Sequence, residues 1–332
     1  MKHEARRALV TGGSGFIGST LVERLLREGL QVTCVIRSTR RRGWLARLPV
    51  EFLLWDFNDI TALAGAAAAA DLVFHVAGVT RARRRAHYIQ GNFTATRNLL
   101  AACAAYGPPG QKLVFVSSLA AAGPSTIERP HHEDQEAAPV SAYGHSKLLA
   151  EKAVLEYSRE RFAVIVRPPA VYGPRDRELL AYFKSIQRGL HPLPGRGCQR
   201  LSLVHVADLV EGILLAAASP QAAGRTYYLS GDHHYDWHCI GRTIAQVLGR
   251  KPLTLPVPAW VLRCLCLAGG GAAWLTGEAP FLNPDKYKEI CQAGWLCSNA
   301  RAREELGFRP RMGLNEGLAD TAAWYRRHGW LK

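Results

Sequence analysis

The amino-acid sequence predicts an α/β protein: a doubly wound parallel sheet of the Rossmann type, followed by a smaller, mostly helical C-terminal lobe. Short, continuous apolar runs alternate with helix-like segments over the first 170 residues. Such alternation is typical of parallel strands that are buried on both faces and connected by right-handed helical crossovers. A glycine-rich turn follows the first apolar run. We therefore divide the 332 residues into a sheet-forming domain, 1–168, and a second lobe, 169–332.

The predicted elements follow one another in the order expected for this fold. Strands are predicted at 8–11, 31–37, 50–56, 71–77, 112–118 and 163–168, and helices at 15–28, 92–105 and 142–161. After residue 168 the regularity fades, and we predict strands at 201–204 and 227–230 and helices at 206–217, 238–248 and 314–328. We expect this second lobe to close over the carboxyl edge of the sheet, with some of its segments returning to the sheet.

The charge of the chain narrows the classes of partner. The formal net charge is +15, with arginine runs at 40–42 and 83–85. This charge fits a solvated basic face, and it also fits attraction to an anionic ligand such as a phosphorylated cofactor, a CoA thioester or a membrane surface. No nucleic-acid-binding motif is present in the sequence, so we expect no nucleic acid partner.

The cysteines and the first residues indicate the compartment. Eight cysteines show neither C-x-x-C pairs nor zinc-ligand spacing, so we expect no metal site. The N-terminal residues lead straight into the first predicted strand, without the apolar stretch of a signal peptide. We therefore expect a cytoplasmic protein with reduced thiols.

One apolar segment, residues 258–275, differs from the rest of the second lobe. It contains a single charge, Arg263, and just reaches the shortest length that spans a bilayer. Glycines at 269–271 interrupt it, which argues against a transmembrane span. Two interpretations stay open: a helix that lines the core or a pocket, and a surface helix that contacts a membrane or admits an apolar substrate.

The segment RALVTGGSGFIGS places Gly12, Gly15 and Gly18 between a predicted strand and a predicted helix. In this context the spacing G-x-x-G-x-x-G is typical of a dinucleotide-binding turn. Gly12 permits the tight turn, Gly15 lets the backbone approach a pyrophosphate, and Gly18 lets the helix pack on the strand. Phe16 and Ile17 start the helix whose N–H groups would meet the pyrophosphate, so we assign them to the same cofactor site.

The residue at the end of the second predicted strand bears on which dinucleotide is bound. Arg37 stands where an acidic side chain would bind both hydroxyls of the adenosine ribose. A guanidinium instead favours a 2′-phosphate, and the arginines at 40–42 strengthen that preference. We therefore favour NADP(H) over NAD(H). NAD(H) is the alternative, in which Arg37 only stacks on the adenine.

Two further strand ends contribute to the same predicted cofactor site. Asp56, followed by Phe57, is placed to bind the adenine amino group, and a turn or helix-capping role for Asp56 is the alternative. Ala77 and Gly78 follow the fourth predicted strand and are small enough to let a cofactor pass against the backbone.

Tyr143 and Lys147 are four residues apart in SAYGHSKLLAEK, which puts both on one face of a helix. A tyrosine with its ordinary pKa of about 10 is a poor base at neutral pH, but a nearby ammonium and a cationic nicotinamide would lower that pKa. Tyr143 is then the predicted general acid/base, and Lys147 also suits the nicotinamide ribose. Ser118, preferred over Ser117, ends the fifth predicted strand, where its hydroxyl would orient the substrate oxygen.

The motifs TGGSGFIGS, FVSSLAAAG, YGHSK and RPPAVYGP, in this order, resemble those of the extended short-chain dehydrogenase/reductase family, also called the NAD-dependent epimerase/dehydratase family. The resemblance implies an NAD(P)-dependent oxidoreductase with Ser118, Tyr143 and Lys147 as its catalytic residues.

The same resemblance implies further site residues around this catalytic set. Pro168, Pro169 and Ala170 would line the nicotinamide. Near the substrate the resemblance places Asn92, Tyr172 and His205.

The second lobe is expected to decide the substrate. Its apolar helix and the segments PFLNPDKYKE and GWLCSNARAREELGF are similar to 3β-hydroxysteroid and sterol dehydrogenases, while Arg37 suits dihydroflavonol and cinnamoyl-CoA reductases. We expect interconversion of a secondary alcohol and a ketone on a small hydrophobic, steroid- or terpenoid-like substrate. The residues that would wall its pocket are Trp260, Leu262, Leu265, Leu267 and Trp274.

Several alternatives stay open. The segment QRLSLVHVADL, with Arg200, resembles sugar-nucleotide epimerases, whereas the apolar residues 119–122 weaken the interpretation as a dehydratase. A sterol with a 4-carboxyl group, held by the loop at 81–85, is a variant of the steroid hypothesis. An NADP(H)-sensing protein without catalysis is the alternative from another class, and the intact Ser118, Tyr143 and Lys147 argue against it. A homodimer built on a helix pair is implied by the family.

Overall fold

The computed structural model describes residues 6–195, 197–276 and 283–332, except for the side chains of Arg41 and of residues 269–276. Within these ranges the chain forms a seven-stranded parallel sheet with helices on both faces, joined to a second lobe that contains two small sheets. The predicted doubly wound α/β fold is confirmed.

Strands and helices alternate along most of the described ranges. In chain order, the strands are β1 (Arg7–Thr11), β2 (Gln31–Ile36), β3 (Glu51–Leu54), β4 (Leu72–His75), β5 (Lys112–Val116), β6 (Ala163–Arg167), β7 (Ala170–Tyr172), β8 (Leu190–Pro194), β9 (Arg200–His205), β10 (Thr226–Tyr228), β11 (His234–Asp236), β12 (Leu253–Val257) and β13 (Gly294–Trp295). The α-helices are α1 (Phe16–Arg27), α2 (Ala64–Ala69), α3 (Arg85–Tyr88), α4 (Ala95–Tyr106), α5 (Leu119–Ala122), α6 (Ala142–Tyr157), α7 (Glu178–Gln187), α8 (Val206–Ala218), α9 (Trp237–Leu248), α10 (Ala259–Thr276), α11 (Pro284–Ile290), α12 (Ala300–Leu306) and α13 (Leu314–Arg327). Short 3₁₀ turns cover Thr39–Arg41, Gly43–Leu45, Thr61–Leu63 and Pro220–Ala222, and a π-helical turn covers Ile89–Thr94.

The main sheet has the strand order β10-β6-β5-β4-β1-β2-β3, with every neighbouring pair parallel. Successive residues of a strand point to opposite apolar layers. Val10 and Phe74 belong to the layer with α1 and α8, whereas Leu9 and Phe115 belong to the layer with α4 and α6. The chain changes its direction of winding between β1 and β4, so a crevice opens at their carboxyl ends.

Beyond residue 168 the chain builds two regions. β10 pairs with β6 at the edge of the main sheet, and α8 packs on the layer that contains α1. The remaining small strands form a four-stranded sheet (β7, β9, β11, β13) and a parallel pair (β8, β12). A third apolar cluster, which includes Phe183, Ile244 and Tyr325, holds α7, α9 and α13 together. The domain boundary at residue 168 stays a prediction.

Several predicted elements have different bounds in the structure. The strand predicted at 50–56 ends at Leu54, because the chain turns at Phe57, whose φ is +73°. The helix predicted at 142–161 ends at Tyr157, and a turn follows Ser158. The helix predicted at 92–105 begins with the π-helical turn, and regular α geometry starts at Ala95.

The apolar segment 258–275 forms most of α10. Among the described helices none is long and apolar enough to cross a membrane. Of the predicted pocket residues in this segment, Trp274 has a side chain that lies outside the described residues.

Candidate active site

The turn between β1 and α1 is shaped for the close approach of a phosphate. Gly12 has a φ of +74°, and a Cβ there would lie 2.5 Å from the backbone nitrogen of Ala77. A Cβ on Gly18 would overlap the carbonyl oxygen of Gly12. No described side chain caps α1, and its first turn carries no acid. Its N–H groups and positive dipole end therefore suit an anion, and the turn fits the diphosphate of a dinucleotide.

Ser118 and Tyr143 meet at the carboxyl end of the main sheet, where the Ser118 hydroxyl is close enough to the phenol of Tyr143 to lower its pKa. Ser118 follows β5 and begins α5, accepting a 3.1 Å hydrogen bond from the backbone nitrogen of Ala120. Tyr143 lies in the first turn of α6, which is capped by Ser141. Ser117 is buried, and its hydroxyl has no hydrogen-bond partner among the described residues. Ser118, and not Ser117, therefore faces the crevice with Tyr143.

Lys147 lies one turn after Tyr143 and is buried behind it. Its Nζ donates a 2.7 Å hydrogen bond to the carbonyl oxygen of Val116 and lies 4.2 Å from the centre of the Phe115 ring. Burial lowers the pKa of Lys147 to about 7, and the nearby carboxylate of Glu151 opposes this shift. The ammonium is thus anchored on the last residues of β5, close to Gly78, where a Cβ would lie 3.8 Å from Nζ.

The pKa of Tyr143 shifts in the direction opposite to the sequence-based expectation. Burial raises the pKa of this phenol, the Ser118 hydroxyl opposes the rise, and the carboxylates of Glu289 and Glu178 raise it further. Burial is the main cause of this rise, and the Lys147 ammonium, which is held by the Val116 carbonyl, does not offset it. Without a cofactor, Tyr143 is therefore a neutral phenol that can donate a proton.

Asn92 connects the loop after β4 to the catalytic helix. Its Oδ1 accepts a 2.6 Å hydrogen bond from the nitrogen of Val79, and its Nδ2 donates to the Val79 carbonyl at 3.1 Å and to Ser146 Oγ at 2.8 Å. The Ser146 hydroxyl in turn donates to the carbonyl of Tyr143 at 2.7 Å. Asn92 lies in the π-helical turn, a geometry that often marks functional sites. Its buried side chain holds α6 in place.

Asp285, from the second lobe, clamps the start of the same helix. Its carboxylate accepts hydrogen bonds from the backbone nitrogens of Ala142 at 2.8 Å and of Tyr143 at 3.3 Å. A carboxylate at a helix N-terminus is favoured by the helix dipole. The position of Asp285 is itself fixed, because Asn283 caps α11 through the backbone nitrogen of Lys286 at 2.8 Å.

Two ion pairs lie beside Tyr143. Lys286 pairs with Glu289 at 3.0 Å, and Arg81 pairs with Glu178 at 2.8 Å. The negative charges of both glutamates raise the pKa of Tyr143. Within the predicted loop at 81–85, Arg81 lines the large cavity that runs between the lobes, whereas the next three arginines lie on the surface outside the lining. The hypothesis that this loop holds a carboxylate therefore depends on Arg81.

Tyr172 and His205 lie where the two lobes meet. Tyr172 is buried at the end of β7, and its ring packs edge-on against His205 at 5.4 Å between ring centres. His205 Nδ1 accepts a 3.4 Å hydrogen bond from the nitrogen of Ala207, and its Nε2 lies 3.5 Å from a carboxylate oxygen of Asp320. Tyr172 faces the cavity and His205 supports it from behind.

The remaining predicted cofactor residues lie at the ends of strands. Arg37 is exposed directly after β2. Asp56, exposed after β3, accepts hydrogen bonds from the backbone and side-chain nitrogens of Asn58, which lower its pKa. Phe57 packs its ring on Trp55, with the ring centres 4.5 Å apart. The hydrogen bonds to Asn58 agree with the alternative in which Asp56 stabilises a turn. The contact of Asp56 with adenine stays a prediction.

Backbone groups of Ala77 and Pro168 complete the edge of the crevice. The nitrogen of Ala77 donates to Thr11 Oγ1 at 3.3 Å, and the carbonyl of Pro168 accepts from the nitrogen of Leu119 at 2.8 Å. Both contacts fix the ends of neighbouring strands relative to each other.

A cavity of about 1360 Å³ joins the glycine-rich turn to the second lobe. The predicted cofactor and catalytic residues that line it are Gly12, Gly15, Phe16, Ile17, Gly18, Ser118, Tyr143, Pro169, Ala170 and Tyr172. The predicted residues outside its lining are Arg37, Asp56, Phe57, Ala77, Gly78, Asn92, Lys147, Pro168 and His205. In the described part of the chain, no group of three or more His, Cys, Asp or Glu is arranged to hold a metal ion.

The far end of the cavity is apolar. Its wall combines the β8–β12 pair, the start of α10 and two tryptophans, in particular Pro192, Pro194, Val257, Leu262, Leu265, Ile290, Trp237 and Trp295. Leu262 and Leu265 are among the residues that the sequence analysis assigned to a pocket wall. Trp260 and Leu267 lie outside this lining and are exposed.

Comparison with known proteins decides the family. Residues 8–230 match the NAD dependent epimerase/dehydratase family. The chain belongs to this family. It is therefore an NAD(P)-dependent oxidoreductase of the extended short-chain type, and the resemblance drawn from the motifs is confirmed.

Proteins of known name are similar to this chain along almost its whole length. Ceramide reductase of Caulobacter vibrioides is 30% identical over 325 residues, covering 97% of this chain and 95% of that protein. The 3β-hydroxysteroid dehydrogenase/Δ5→4-isomerase of Mycobacterium tuberculosis is 27% identical, covering 97% of this chain and 91% of that protein. The crystal structure of gox2253 superimposes with a TM-score of 0.81 at 28% identity, covering 98% of this chain and 99% of that one.

Sequence reasoning missed the contribution of α11 to the site. Asp285, Lys286 and Glu289 lie more than 140 residues from Tyr143 along the chain, and nothing local links them to it. The segment that contains them, NPDKYKE, carried one usable signal. An asparagine followed by proline is a typical helix start, which would have placed an acid in the first turn of a helix.

Proposed function

We propose that the protein interconverts a secondary alcohol and a ketone on a lipid-like substrate, with NADP(H) as cofactor and Tyr143 as proton carrier. The observation that carries this proposal is the continuous cavity. It runs from the glycine-rich turn, past Ser118 and Tyr143, to apolar side chains of the second lobe.

The residues of the site suit carbonyl chemistry in the reducing direction. The bound cofactor would supply hydride, and the glycine-rich turn with the N-terminus of α1 would hold its diphosphate. Ser118 would hydrogen-bond the substrate oxygen and orient it next to the phenol. Tyr143, whose pKa is raised, would give its proton to that oxygen. Lys147 would place a positive charge beside the phenolate that forms and so stabilise it.

The apolar end of the cavity favours a hydrophobic substrate. Removing apolar surface from water contributes about 25 cal/mol per Å², so a hydrocarbon skeleton or chain would gain several kcal/mol in this cavity. Arg81 and Lys286 at the cavity wall are already paired with carboxylates, which weakens the case for a nucleotide diphosphate. The names of the similar ceramide reductase and 3β-hydroxysteroid dehydrogenase also support a lipid-like substrate.

The preference for NADP(H) rests on Arg37. It directly follows β2, and the basic residues at 40–42 continue the chain from there. A 2′-phosphate at this point would gain charged hydrogen bonds. We expect Arg37→Asp to lower kcat/KM for NADPH by roughly 10- to 100-fold, as expected for about 1.5–3 kcal/mol of charged hydrogen bonding, and to affect NADH much less. Arg27→Asp, the same charge change on an exposed residue of α1, is the control, and an equal loss in both variants would contradict this assignment.

A cytoplasmic location is part of the proposal. Cys264 and Cys291 are free thiols on the surface. Exposed thiols stay reduced most readily in a reducing compartment. Fractionation of cells that express the tagged chain would test this, and recovery from an extracellular fraction would contradict it.

A cofactor-oxidation screen tests the proposed function. Purified protein is mixed with NADPH or NADH and a panel that contains a 3-ketosteroid, long-chain 3-ketolipids, a dihydroflavonol, an acyl-CoA and UDP-glucose. The expected result is cofactor oxidation with the lipid-like ketones. Turnover of UDP-glucose alone, or no turnover of any ketone by protein that binds the cofactor, would contradict the proposal.

A further inference from the structure

A group of large apolar side chains lies uncovered on the second lobe. Leu253 on β12 is 64% exposed, and Trp260 and Leu267 on α10 are 69% and 54% exposed. Leu190, Leu255 and Leu265 are also exposed. We call these six residues the apolar face. Contiguous exposed groups of this kind usually mark a surface that contacts a partner or a membrane.

The apolar face continues into the substrate cavity. In the parallel β8–β12 pair, Leu190 is opposite Leu253, Pro192 opposite Leu255, and Pro194 opposite Val257. Alternate residues of a strand share a side, so these three pairs point the same way. The first pair is exposed, whereas Pro192, Pro194 and Val257 line the cavity.

Helix α10 shows the same continuity. Leu265 lines the cavity and is still 48% exposed. Leu262 lines the cavity, and Leu267 and Trp260 lie on the outer surface. On the β8–β12 pair and on α10 alike, apolar side chains therefore run from the outside of the protein to the wall of the site.

The two segments that carry the apolar face contain basic residues and no acidic residue. Residues 250–276 contain Arg250, Lys251 and Arg263 and no acidic residue. Residues 179–195, which include β8, contain Lys184 and Arg188 and no acidic residue. All five cations are exposed. Basic residues that flank an apolar surface are attracted to anionic lipid headgroups, each by about 1 kcal/mol close to the surface.

We propose that the apolar face docks on an anionic phospholipid membrane, and that a lipid substrate enters the cavity directly from the bilayer. Trp260 at its edge is suited to the headgroup region, where amphipathic rings concentrate. The apolar side chains would insert only as far as the acyl boundary, in the manner of an interfacial helix. The docking is inferred from the exposed residues alone. Only the identity of the incoming molecule rests on the proposed function.

Sedimentation with vesicles tests the docking. The full chain is mixed with vesicles of phosphatidylcholine alone or with added phosphatidylglycerol, at low and high salt. We expect binding to the anionic vesicles that weakens with salt without vanishing. Leu253→Ser combined with Trp260→Ser should lower the bound fraction by about tenfold or more, because two apolar anchors are lost. Ile127→Ser, at a 58% exposed residue outside the apolar face, is the matched control and should bind as the unchanged chain does.

Activity separates this inference from the proposed function. Leu253 and Trp260 lie outside the cavity lining, so the double variant should keep its melting temperature and its turnover of a short, water-soluble ketone. It should lose most turnover of a long-chain ketone embedded in anionic vesicles. Soluble-ketone turnover without any vesicle binding would overturn the docking and leave the function standing. Vesicle binding without ketone turnover would overturn the proposed function and leave the docking standing.

Two further outcomes overturn the docking. One is equal vesicle binding by the unchanged chain and the double variant. The other is a concentration-dependent dimer in ultracentrifugation that the double variant abolishes, together with no vesicle binding, because a second copy of the chain would then cover the apolar face.

Discussion

The two ends of the cavity are built in different ways. At the end formed by the main sheet, backbone geometry makes the site: the positive φ of Gly12, the close contact of Gly18 with Gly12, and the bare N-terminus of α1. At the other end, side chains from β8, β12, α10 and α11 make the wall. The first construction suits one kind of ligand group, a phosphate. The second depends on the side chains of the second lobe, and the fold by itself does not determine which substrate they would bind.

The largest expected effect comes from the point where the two ends meet. Tyr143→Phe removes the proposed proton carrier and leaves both walls intact. We expect kcat/KM for the ketone to fall by about 10³-fold or more, because general acid catalysis by a positioned side chain contributes about 10²–10⁴-fold. The dissociation constant of NADPH, measured by fluorescence titration, should change little.

Tyr106→Phe, at an exposed tyrosine at the end of α4, is the control and should keep full activity. If Tyr143→Phe keeps more than about a tenth of the activity, another group carries the proton. A loss of less than about tenfold would be far smaller than the usual contribution of such an acid.

A substitution in the glycine-rich turn should act on the cofactor alone. In Gly18→Ala the added Cβ would overlap backbone atoms of Gly12, so the turn must shift. We expect NADPH affinity to fall by roughly 10- to 100-fold, because hydrogen bonds to a charged group such as the diphosphate are worth about 1.5–3 kcal/mol.

Gly65→Ala is the matched control, because Gly65 lies in α2 with open space around its Cα. Its cofactor affinity should be unchanged, and its free energy of unfolding should rise slightly, by about 0.5–1 kcal/mol at most. Unchanged NADPH affinity in Gly18→Ala would contradict the assignment of this turn to the diphosphate.

A smaller effect should reveal the link between the two ends. Asp285→Asn weakens the acceptor that holds the N-terminus of α6, and helix caps are worth about 0.5–2 kcal/mol. We expect kcat to fall by about three- to tenfold with KM for NADPH unchanged, because the position of Tyr143 is loosened.

Asp59→Asn provides the comparison, since Asp59 also accepts a backbone N–H, from Thr61, but on the surface. It should leave kcat unchanged. A fall in kcat/KM for Asp285→Asn that comes entirely from KM for the ketone would show that Asp285 contacts the substrate and does not position Tyr143.

The end of the cavity that the main sheet forms was predicted well from the sequence, because local rules determine its structure. Strands buried on both faces appear as apolar runs, and the turn needs glycine at fixed spacing. The positions of Ser118, Tyr143 and Lys147 follow from the same rules, since a strand end and a helical spacing of four define them. The predicted strand ending at residue 56 was too long only because Phe57 adopts a left-handed turn, which no local pattern of apolar residues reveals.

The substrate end was less predictable because tertiary contacts define it. β7, β11 and β13 have only two or three residues each, too few for periodicity to indicate a strand. Asp285 reaches Tyr143 only through the folding of the second lobe over the sheet. The rise in the pKa of Tyr143 was missed for the same reason, because it comes mainly from burial in the folded protein and, to a smaller extent, from Glu289 and Glu178, which are distant along the chain.

The most direct test of the account is a homologous series of 3-ketones that differ only in chain length, with NADPH oxidation followed at 340 nm. If the far end of the cavity binds hydrocarbon, kcat/KM should rise by up to about fourfold per added methylene, the equivalent of about 0.8 kcal/mol, until the cavity is filled. A series whose kcat/KM stays flat or falls with chain length would contradict the central claim that this half of the site is built for a lipid-like substrate.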